Sequence, residues 1–144
     1  MRRLVLIALA VGLLLPAVAV PQDSDSEALS KLRGTWVQIE QAGKKPTREY
    51  KLIVNKLNGY QMGGISGDAS DIASLAGVDG SIRVDTSKSP PNIDLVGSKN
   101  TLRGIFKLEG DRLTLLVGPD GRRPTSFDKG DGVFHIFIKD EAKR

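Results

Sequence analysis

The sequence of 144 residues contains no cysteine, one histidine and few aromatic residues, namely one tryptophan, two tyrosines and four phenylalanines. The lack of cysteine excludes disulfide bonds, zinc–thiolate sites and thiol nucleophiles. With a single histidine, any metal site would have to use oxygen ligands, and we expect no cofactor. The chain is long enough for one domain, whose core must be built mainly from leucine, isoleucine and valine.

Long apolar runs are missing except near the N terminus. A basic pair at positions 2 and 3 precedes the apolar run Leu4–Leu15, and Ala17 and Ala19 have the spacing of a signal-peptide cleavage site. The run is shorter than the roughly 20 residues of a membrane-spanning helix. Residues 1–19 are therefore predicted to be a signal peptide, and the mature protein is expected to be periplasmic or extracellular, with no stable membrane span. A signal retained as an anchor is the alternative.

A large excess of charge of one sign is missing too. Removing the two arginines of the signal peptide from the 21 basic residues leaves 19, against 17 acidic ones, and a formal charge of +2. A nearly neutral, mixed surface is not typical of nucleic-acid-binding proteins. We therefore expect no nucleic acid among the partners.

Glycine and proline, in contrast, are frequent, with 16 and 7 residues spread along the chain. They separate short segments in which apolar and polar residues alternate, as in β-strands. After a polar leader and helix start at 20–28, we expect one all-β domain at 29–144, an antiparallel barrel or sandwich with consecutive strands as neighbours. The eight predicted strands are Thr35–Ile39, Tyr50–Val54, Gly59–Met62, Ser81–Asp85, Asn92–Val96, Leu102–Leu108, Leu113–Val117 and Val133–Lys139.

The clearest hairpin spans residues 102–117. Gly110 and Asp111 suit a two-residue turn, and closing the chain there sets the register of the two strands. Paired residues share a face, so one face of the hairpin is apolar, whereas Ile105 and Leu116 are apolar exceptions on the other face. The predicted pairs are Leu108 with Leu113, Phe106 with Leu115 and Gly104 with Val117.

Two short helical segments are predicted outside the strands. Ser24 and Glu27 have the spacing of a capping box, which starts a helix, and Gly34 is placed to end it. Asp68–Ala76 has the apolar spacing of a helical turn that stops at Gly77.

Trp36 is the only tryptophan and directly follows the first predicted helix. An indole buries well where its N–H finds an acceptor, and a barrel needs a bulky group to close one end. We therefore expect Trp36 at a closed end, against Phe134 or Ile136 of the last strand and with a basic side chain near its ring. The alternative is a ligand platform in an open pocket.

Asp94 and Arg123 are the two charged residues of most interest. Asp94 lies between Ile93 and Leu95 on a predicted strand, so its side chain points to the opposite face. An ion pair between Asp94 and Arg123 would tie this strand to the loop after the hairpin. Two separately solvated charges are the alternative.

No catalytic arrangement stands out in the sequence. His135 lies inside an apolar strand and no Gly-x-Ser-x-Gly segment presents a nucleophile, so a packed histidine is favoured over a catalytic one. Asp128–Gly132 lacks the ligand spacing of an EF-hand and is interpreted as a turn. Gly63–Gly67 is not followed by the Lys and Ser or Thr of a phosphate-binding loop and is interpreted as a flexible loop.

Two resemblances to known families come from short motifs. A short helix leading into Gly34-Thr35-Trp36 resembles the Gly-x-Trp opening of the lipocalin-like (calycin) barrels. A longer series resembles an exported domain family that is abundant in planctomycete bacteria and has no established activity, although Phe106 replaces the usual Tyr and residues 63–80 are longer than the usual loop. This resemblance implies the fold and the export of the protein, but no function. The motifs of the series are Leu32-x-Gly34-Thr35-Trp36, Pro91-x-Ile93-Asp94, Gly104-Ile105-Phe106, Gly110-Asp111-x-Leu113 and Arg123-Pro124-x-x-Phe127.

Three hypotheses for function follow. In the favoured one the protein is a non-enzymatic binding or interaction module of the cell envelope, and its protein-binding form has a filled core and an exposed apolar patch for an envelope protein. A lipocalin-type carrier would instead hold a small apolar ligand in a barrel cavity. A hydrolase would need a pocket in which His135 or a pair of carboxylates meets a nucleophile.

Overall fold

A computed structural model describes residues 22–64, 72–118, 120–128 and 130–141. The predicted signal peptide and the first part of the predicted helical turn, residues 68–71, lie outside these ranges. Within them, no helix combines the length and the hydrophobicity needed to cross a membrane.

Eight antiparallel strands close into a barrel in sequence order, and the first strand pairs with the last. The predicted all-β meander is thus confirmed, as a barrel and not as a sandwich. Short connections favour this order, because an antiparallel strand can return directly beside its predecessor. The strands are β1 (Gly34–Gln41), β2 (Lys51–Val54), β3 (Gly59–Gly63), β4 (Asp79–Asp85), β5 (Asn92–Gly97), β6 (Thr101–Glu109), β7 (Arg112–Val117) and β8 (Val133–Lys139).

The β6–β7 hairpin has the predicted register. Leu108 pairs with Leu113 and Phe106 with Leu115, and Gly110 opens the turn with a φ of +59°. Glycine adopts this left-handed φ without a steric cost, which explains its place in a two-residue turn.

Ile105 and Leu116 face outward from the same hairpin and are nevertheless buried. The β7–β8 loop, residues 118–132, covers them: its buried Pro124 and Ile105 line one shallow surface depression, and Gly132 lies against the Leu116 side chain. The two exceptions to alternation are therefore explained by a second, small apolar layer outside the barrel.

The interior of the barrel is packed from one end to the other. A continuous cluster of buried side chains starts at Trp36, where β1 begins, and reaches Ile72 and Ala76 at the opposite end. We call the first the basal end and the second the apical end. Between them the cluster contains Leu52, Val54, Tyr60, Met62, Ile82, Ile93, Leu95, Leu102, Phe106, Leu113, Leu115, Val117 and Phe137.

Helix α1 (Gln22–Leu32) covers the basal end. The predicted capping box is wrong, because the helix begins before Ser24 and holds it in its first turn. Ser24 and Asp25 instead accept hydrogen bonds of 2.7 Å from the Oγ1 and the backbone N–H of Thr86, in the β4–β5 turn. The position of this short helix is thus set by tertiary contacts.

Trp36 is fully buried at the basal end, as predicted. Its Nε1 donates a 2.7 Å hydrogen bond to the carbonyl oxygen of Leu32, the last residue of α1. The predicted basic side chain is Lys139, whose Nζ lies 5.1 Å from the centroid of the indole ring.

Strand β8 is mostly apolar because it forms the seam with β1 and its central residues are buried. Its inward side chains are His135 and Phe137. Phe134 and Ile136 face outward, so their predicted contact with Trp36 is wrong. Alternation cannot be derived from hydrophobicity on a strand that is mostly apolar, which is the reason for the error.

The β3–β4 connection covers the apical end. Its helix α2 (Ile72–Leu75) confirms the described part of the predicted helical turn, and Gly77 follows with a φ of +118°. Ile72 and Ala76 are fully buried. The backbone N–H groups of Lys99 and Asn100 donate to the carbonyl oxygen of Ala76 at 2.9 and 3.3 Å. Backbone contacts therefore fasten this end.

Candidate functional site

A polar cluster lies in the apical half of the barrel interior. His135 is fully buried, and the Nε2 atom of Gln38 lies 3.0 Å from its Nδ1 and 3.4 Å from Oε1 of Gln41. Full burial gives a substrate no access to His135, which argues against the form of the hydrolase hypothesis that uses this histidine. Sequence analysis missed the two glutamines, although alternation from Trp36 places Gln38 on the inner face.

The predicted ion pair is present on the outer face of β5. Arg123 Nη2 donates to Asp94 Oδ1 at 2.7 Å, and Arg123 Nη1 donates to the carbonyl oxygens of Gly104 at 2.8 Å and Ile93 at 3.3 Å. Both charged side chains are 26% exposed. Since all these contacts are within the protein, Arg123 holds the β7–β8 loop across β5 and β6.

The acidic turn near the end of the β7–β8 loop shows no metal-binding geometry. The hydroxyl oxygen of Ser126 lies 2.9 Å from a carboxylate oxygen of Asp128 and 3.0 Å from one of Asp131. In the parts of the chain that the structure describes, no group of three or more histidine, aspartate or glutamate side chains could hold a metal ion.

A cleft of 680 Å³ opens at the basal end, between α1 and the β6–β7 hairpin. We call it the basal cleft. Four separate parts of the chain contribute its apolar lining, and the charged side chains come from α1, β6 and β8. The apolar lining is Ala28, Pro91, Phe106, Leu108 and Phe127, and the charged side chains are Glu27, Lys31, Lys107 and Lys139.

The charges of the basal cleft are only partly compensated. Lys31 pairs with Glu27 at 2.6 Å, and Lys107 pairs with Glu109 at 2.9 Å. The hydrogen bond and the charge of Lys31 hold the pKa of the Glu27 carboxyl below its usual value. Lys139 Nζ donates to the backbone carbonyl of Lys31 at 3.2 Å and otherwise faces the indole ring described above.

Several residues singled out from the sequence surround the basal cleft. Gly110 lines it, and the carbonyl oxygen of Asp111 accepts the backbone N–H of Lys139 at 2.8 Å. Arg123 holds the loop that carries Phe127. The cleft itself was not predicted, because nothing in the local sequence shows that these segments meet at one end.

A second apolar surface lies outside the barrel at its seam. Val37 of β1 pairs with Ile138 of β8, and the register shifts between Gln38 and Glu40, so that an extra residue, Ile39, bulges outward. Ile39 is 40% exposed and Ile53 on β2 is 38% exposed. We call this surface the seam strip, and its members are Val37, Ile39, Ile53, Phe134 and Ile138.

Comparison of the chain with models of protein families, with curated proteins and with solved structures finds no match.

Proposed function

We propose that the protein is an exported, non-enzymatic interaction module that binds an envelope protein through the seam strip. Export follows from the predicted signal peptide at residues 1–19. The observation that carries the proposal is the filled interior, in which one side-chain cluster runs from Trp36 to Ile72. A lipocalin-type carrier needs an internal cavity of roughly 300–1,000 Å³, whereas the described interior holds a continuous cluster of the protein's own side chains.

The seam strip has the character of a protein-binding surface. The outer face of a barrel in water is normally polar, whereas β1, β2 and β8 together present four branched aliphatic side chains and Phe134 there. Exposed apolar side chains on a face that is otherwise polar are typical of an interface. Lys51, beside the strip, pairs with Glu49 at 3.0 Å and with Asp140 at 3.4 Å, so the surrounding charges are largely balanced. A partner with an apolar contact surface fits the strip better than a highly charged one.

Site-specific photocrosslinking in the native envelope tests the proposal. A photoreactive amino acid placed at Ile39 or Ile53 should form an adduct with the same single envelope protein. The matched control is Leu57, an apolar residue that is 89% exposed and lies outside the strip, and a probe there should give no such adduct. Adducts of equal yield from position 57, or none from positions 39 and 53, would refute the proposal.

A second measurement separates this function from that of a carrier. Native mass spectrometry of the protein from its own compartment should show no small molecule in the barrel interior, that is, none that is retained by the wild type, by the seam-strip variant Ile39→Glu/Ile53→Glu and by the basal-cleft variant Phe127→Ala/Lys139→Gln alike. A small molecule retained equally by the wild type and by both double variants would place a ligand in the interior and favour the carrier.

A further inference from the structure

We propose that the basal cleft binds a single-chain anionic amphiphile, of which a long-chain fatty acid is the simplest example. The alkyl chain would lie along the apolar lining and the carboxylate would face Lys139. The basal cleft and the seam strip are different surfaces, and binding at the cleft does not depend on the proposed binding at the strip.

The size and the apolar lining of the basal cleft suit one alkyl chain. Its 680 Å³ falls within the range of small-molecule sites. Phe106 and Leu108 form part of its lining at the base of β6, Phe127 contributes from the β7–β8 loop, and Ala28 contributes from α1. Gly110 of the hairpin turn also lines the cleft, and a Cβ atom built there would meet no other atom within 4 Å.

The charge of the basal cleft selects the head group. Three ammonium groups line it, against the single carboxylate of Glu27. Lys31 and Lys107 already have carboxylate partners. Lys139 contacts a carbonyl oxygen and an indole ring, and among the described residues it has no carboxylate partner. An anionic head group would supply one, whereas a cationic head group of the same length would be repelled.

Lys139 also supplies a means of detecting the ligand. Its Nζ lies 5.1 Å from the centroid of Trp36, the only tryptophan of the chain. A carboxylate that draws Lys139 away from the ring, or neutralises its charge there, changes the electrostatic field at the indole. Binding should therefore shift or quench the fluorescence of Trp36.

The experiment is a fluorescence titration, repeated by calorimetry, of purified protein freed of lipid by unfolding and refolding. The probes are dodecanoate, dodecanol and dodecyltrimethylammonium, each below its micelle-forming concentration. Dodecanoate should bind saturably with one molecule per chain. Dodecanol should bind at least about threefold more weakly, because it loses the charge interaction at a partly exposed site, and dodecyltrimethylammonium should bind more weakly still.

Two matched pairs of variants place the ligand. Lys139→Gln should weaken dodecanoate binding at least about threefold, whereas Lys99→Gln, the same change on an exposed residue at the apical end, should not. Phe127→Ala should weaken it about tenfold through the lost apolar contact, whereas Leu57→Ala should not. Circular dichroism checks that each variant is folded, and the comparison of head groups in the wild type is independent of the variants.

The proposal is overturned if dodecanoate does not bind, or if the three probes bind equally well. It is also overturned if Lys99→Gln weakens binding as much as Lys139→Gln does, since the effect would then come from net charge. If dodecanoate does not change the fluorescence, and only a polypeptide is released from the protein as isolated, the cleft holds a peptide segment instead.

Discussion

The basal end of the barrel is closed by Trp36 beneath the 11-residue helix α1, whereas the apical end is closed by the four-residue helix α2 and the turn after it. At the basal end one large side chain fills the space, and side-chain hydrogen bonds to Leu32 and Thr86 hold the helix. At the apical end the shorter side chains of Ile72 and Ala76 fill the space, and backbone hydrogen bonds to Ala76 hold the connection.

The apical end depends on glycine residues, which have no side chain. A Cβ atom built on Gly97 would lie 2.0 Å from the carbonyl oxygen of Ala76, and one built on Gly80 would lie 2.1 Å from that of Val96. Real Cβ contacts are essentially never so short, so Gly97 permits the backbone of the β3–β4 connection to touch β5, and Gly80 permits β4 to approach β5 closely beside it. The two ends therefore teach that a barrel can be closed by a bulky residue or by close backbone approach, and each solution is sensitive to the opposite change.

Truncation of the bulky residue should have the largest effect. Trp36→Ala should lower the free energy of unfolding by about 3–5 kcal/mol, because it leaves a cavity beneath α1. Trp36→Phe should cost less, since it keeps an aromatic ring and loses the Nε1 hydrogen bond. Urea unfolding of both variants measures this, and a loss below about 1 kcal/mol for Trp36→Ala would show that the basal end does not depend on the indole.

Enlargement should be harmful at the apical end. Gly97→Ala should cost about 3 kcal/mol, near the top of the usual range for overpacking, because the obstacle is backbone and cannot rotate away. The control is Gly63→Ala at the end of β3, where the nearest atom to a new Cβ is 3.7 Å away on Lys51, so that little change is expected. Equal urea midpoints for the two variants would contradict the close-approach argument.

High pH should weaken the apical end specifically. Burial, together with the negative charge of Asp79, raises the pKa of Tyr60 to about 12, and its hydroxyl donates to the carbonyl oxygen of Gly77 at 3.3 Å. The Tyr60 phenol ionises near pH 10 in the unfolded chain but only near pH 12 in the folded protein. The stabilisation that it contributes below pH 10 is therefore lost as the pH rises from 10 to 12. The loss should reach about 2–3 kcal/mol.

Comparison of two proteins isolates this contribution of Tyr60. The free energy of unfolding of wild type should fall more steeply between pH 10 and 12 than that of Tyr60→Phe, which carries no phenol at this position. Parallel curves would mean that Tyr60 ionises as freely in the folded protein as in the unfolded one.

The smallest effect is expected for the loop that joins the two ends. The β7–β8 loop leaves β7 apically and carries Phe127 to the basal cleft, and the pair of Asp94 and Arg123 fixes it between them. A double-mutant cycle with Asp94→Asn and Arg123→Gln should give a coupling of about 0.5–1 kcal/mol, since the pair is partly exposed. The reference pair is Lys107 with Glu109, at 57% and 55% exposure, for which coupling should be lower. No coupling between Asp94 and Arg123 would reduce both to surface charges.

The sequence predicted the strands, their order, the hairpin register and the closed end at Trp36, because alternation and turn residues act locally. It failed where tertiary contacts override a local signal. Ser24 fits a capping box, yet its hydroxyl oxygen accepts a hydrogen bond from Thr86, which is distant in sequence. Phe134 and Phe137 look alike on an apolar strand, and only pairing with β1 shows which one faces inward.

The candidate surfaces were predicted less well than the fold. The pair of Asp94 and Arg123 could be anticipated, since an acidic residue on a strand and a basic residue on a loop can form an ion pair. The basal cleft and the seam strip could not be located, because their members come from segments that only barrel closure brings together. Ile39 joins the seam strip through a β-bulge, which no residue pattern in β1 marks.

Closure of the barrel by β1 and β8 also has a consequence for how the chain acquires its structure. Each strand from β1 to β7 pairs with the next strand as soon as that strand is made, but the second edge of β1 must wait for β8, separated from it by almost the whole domain. Until then β1 and β7 each expose an unpaired edge, which invites pairing with other chains, and the large sequence separation between β1 and β8 makes the closing step slow. Ribosome-bound or translocating intermediates that lack β8 should therefore be the species most prone to aggregate, and the one in which a chaperone has the most to cover.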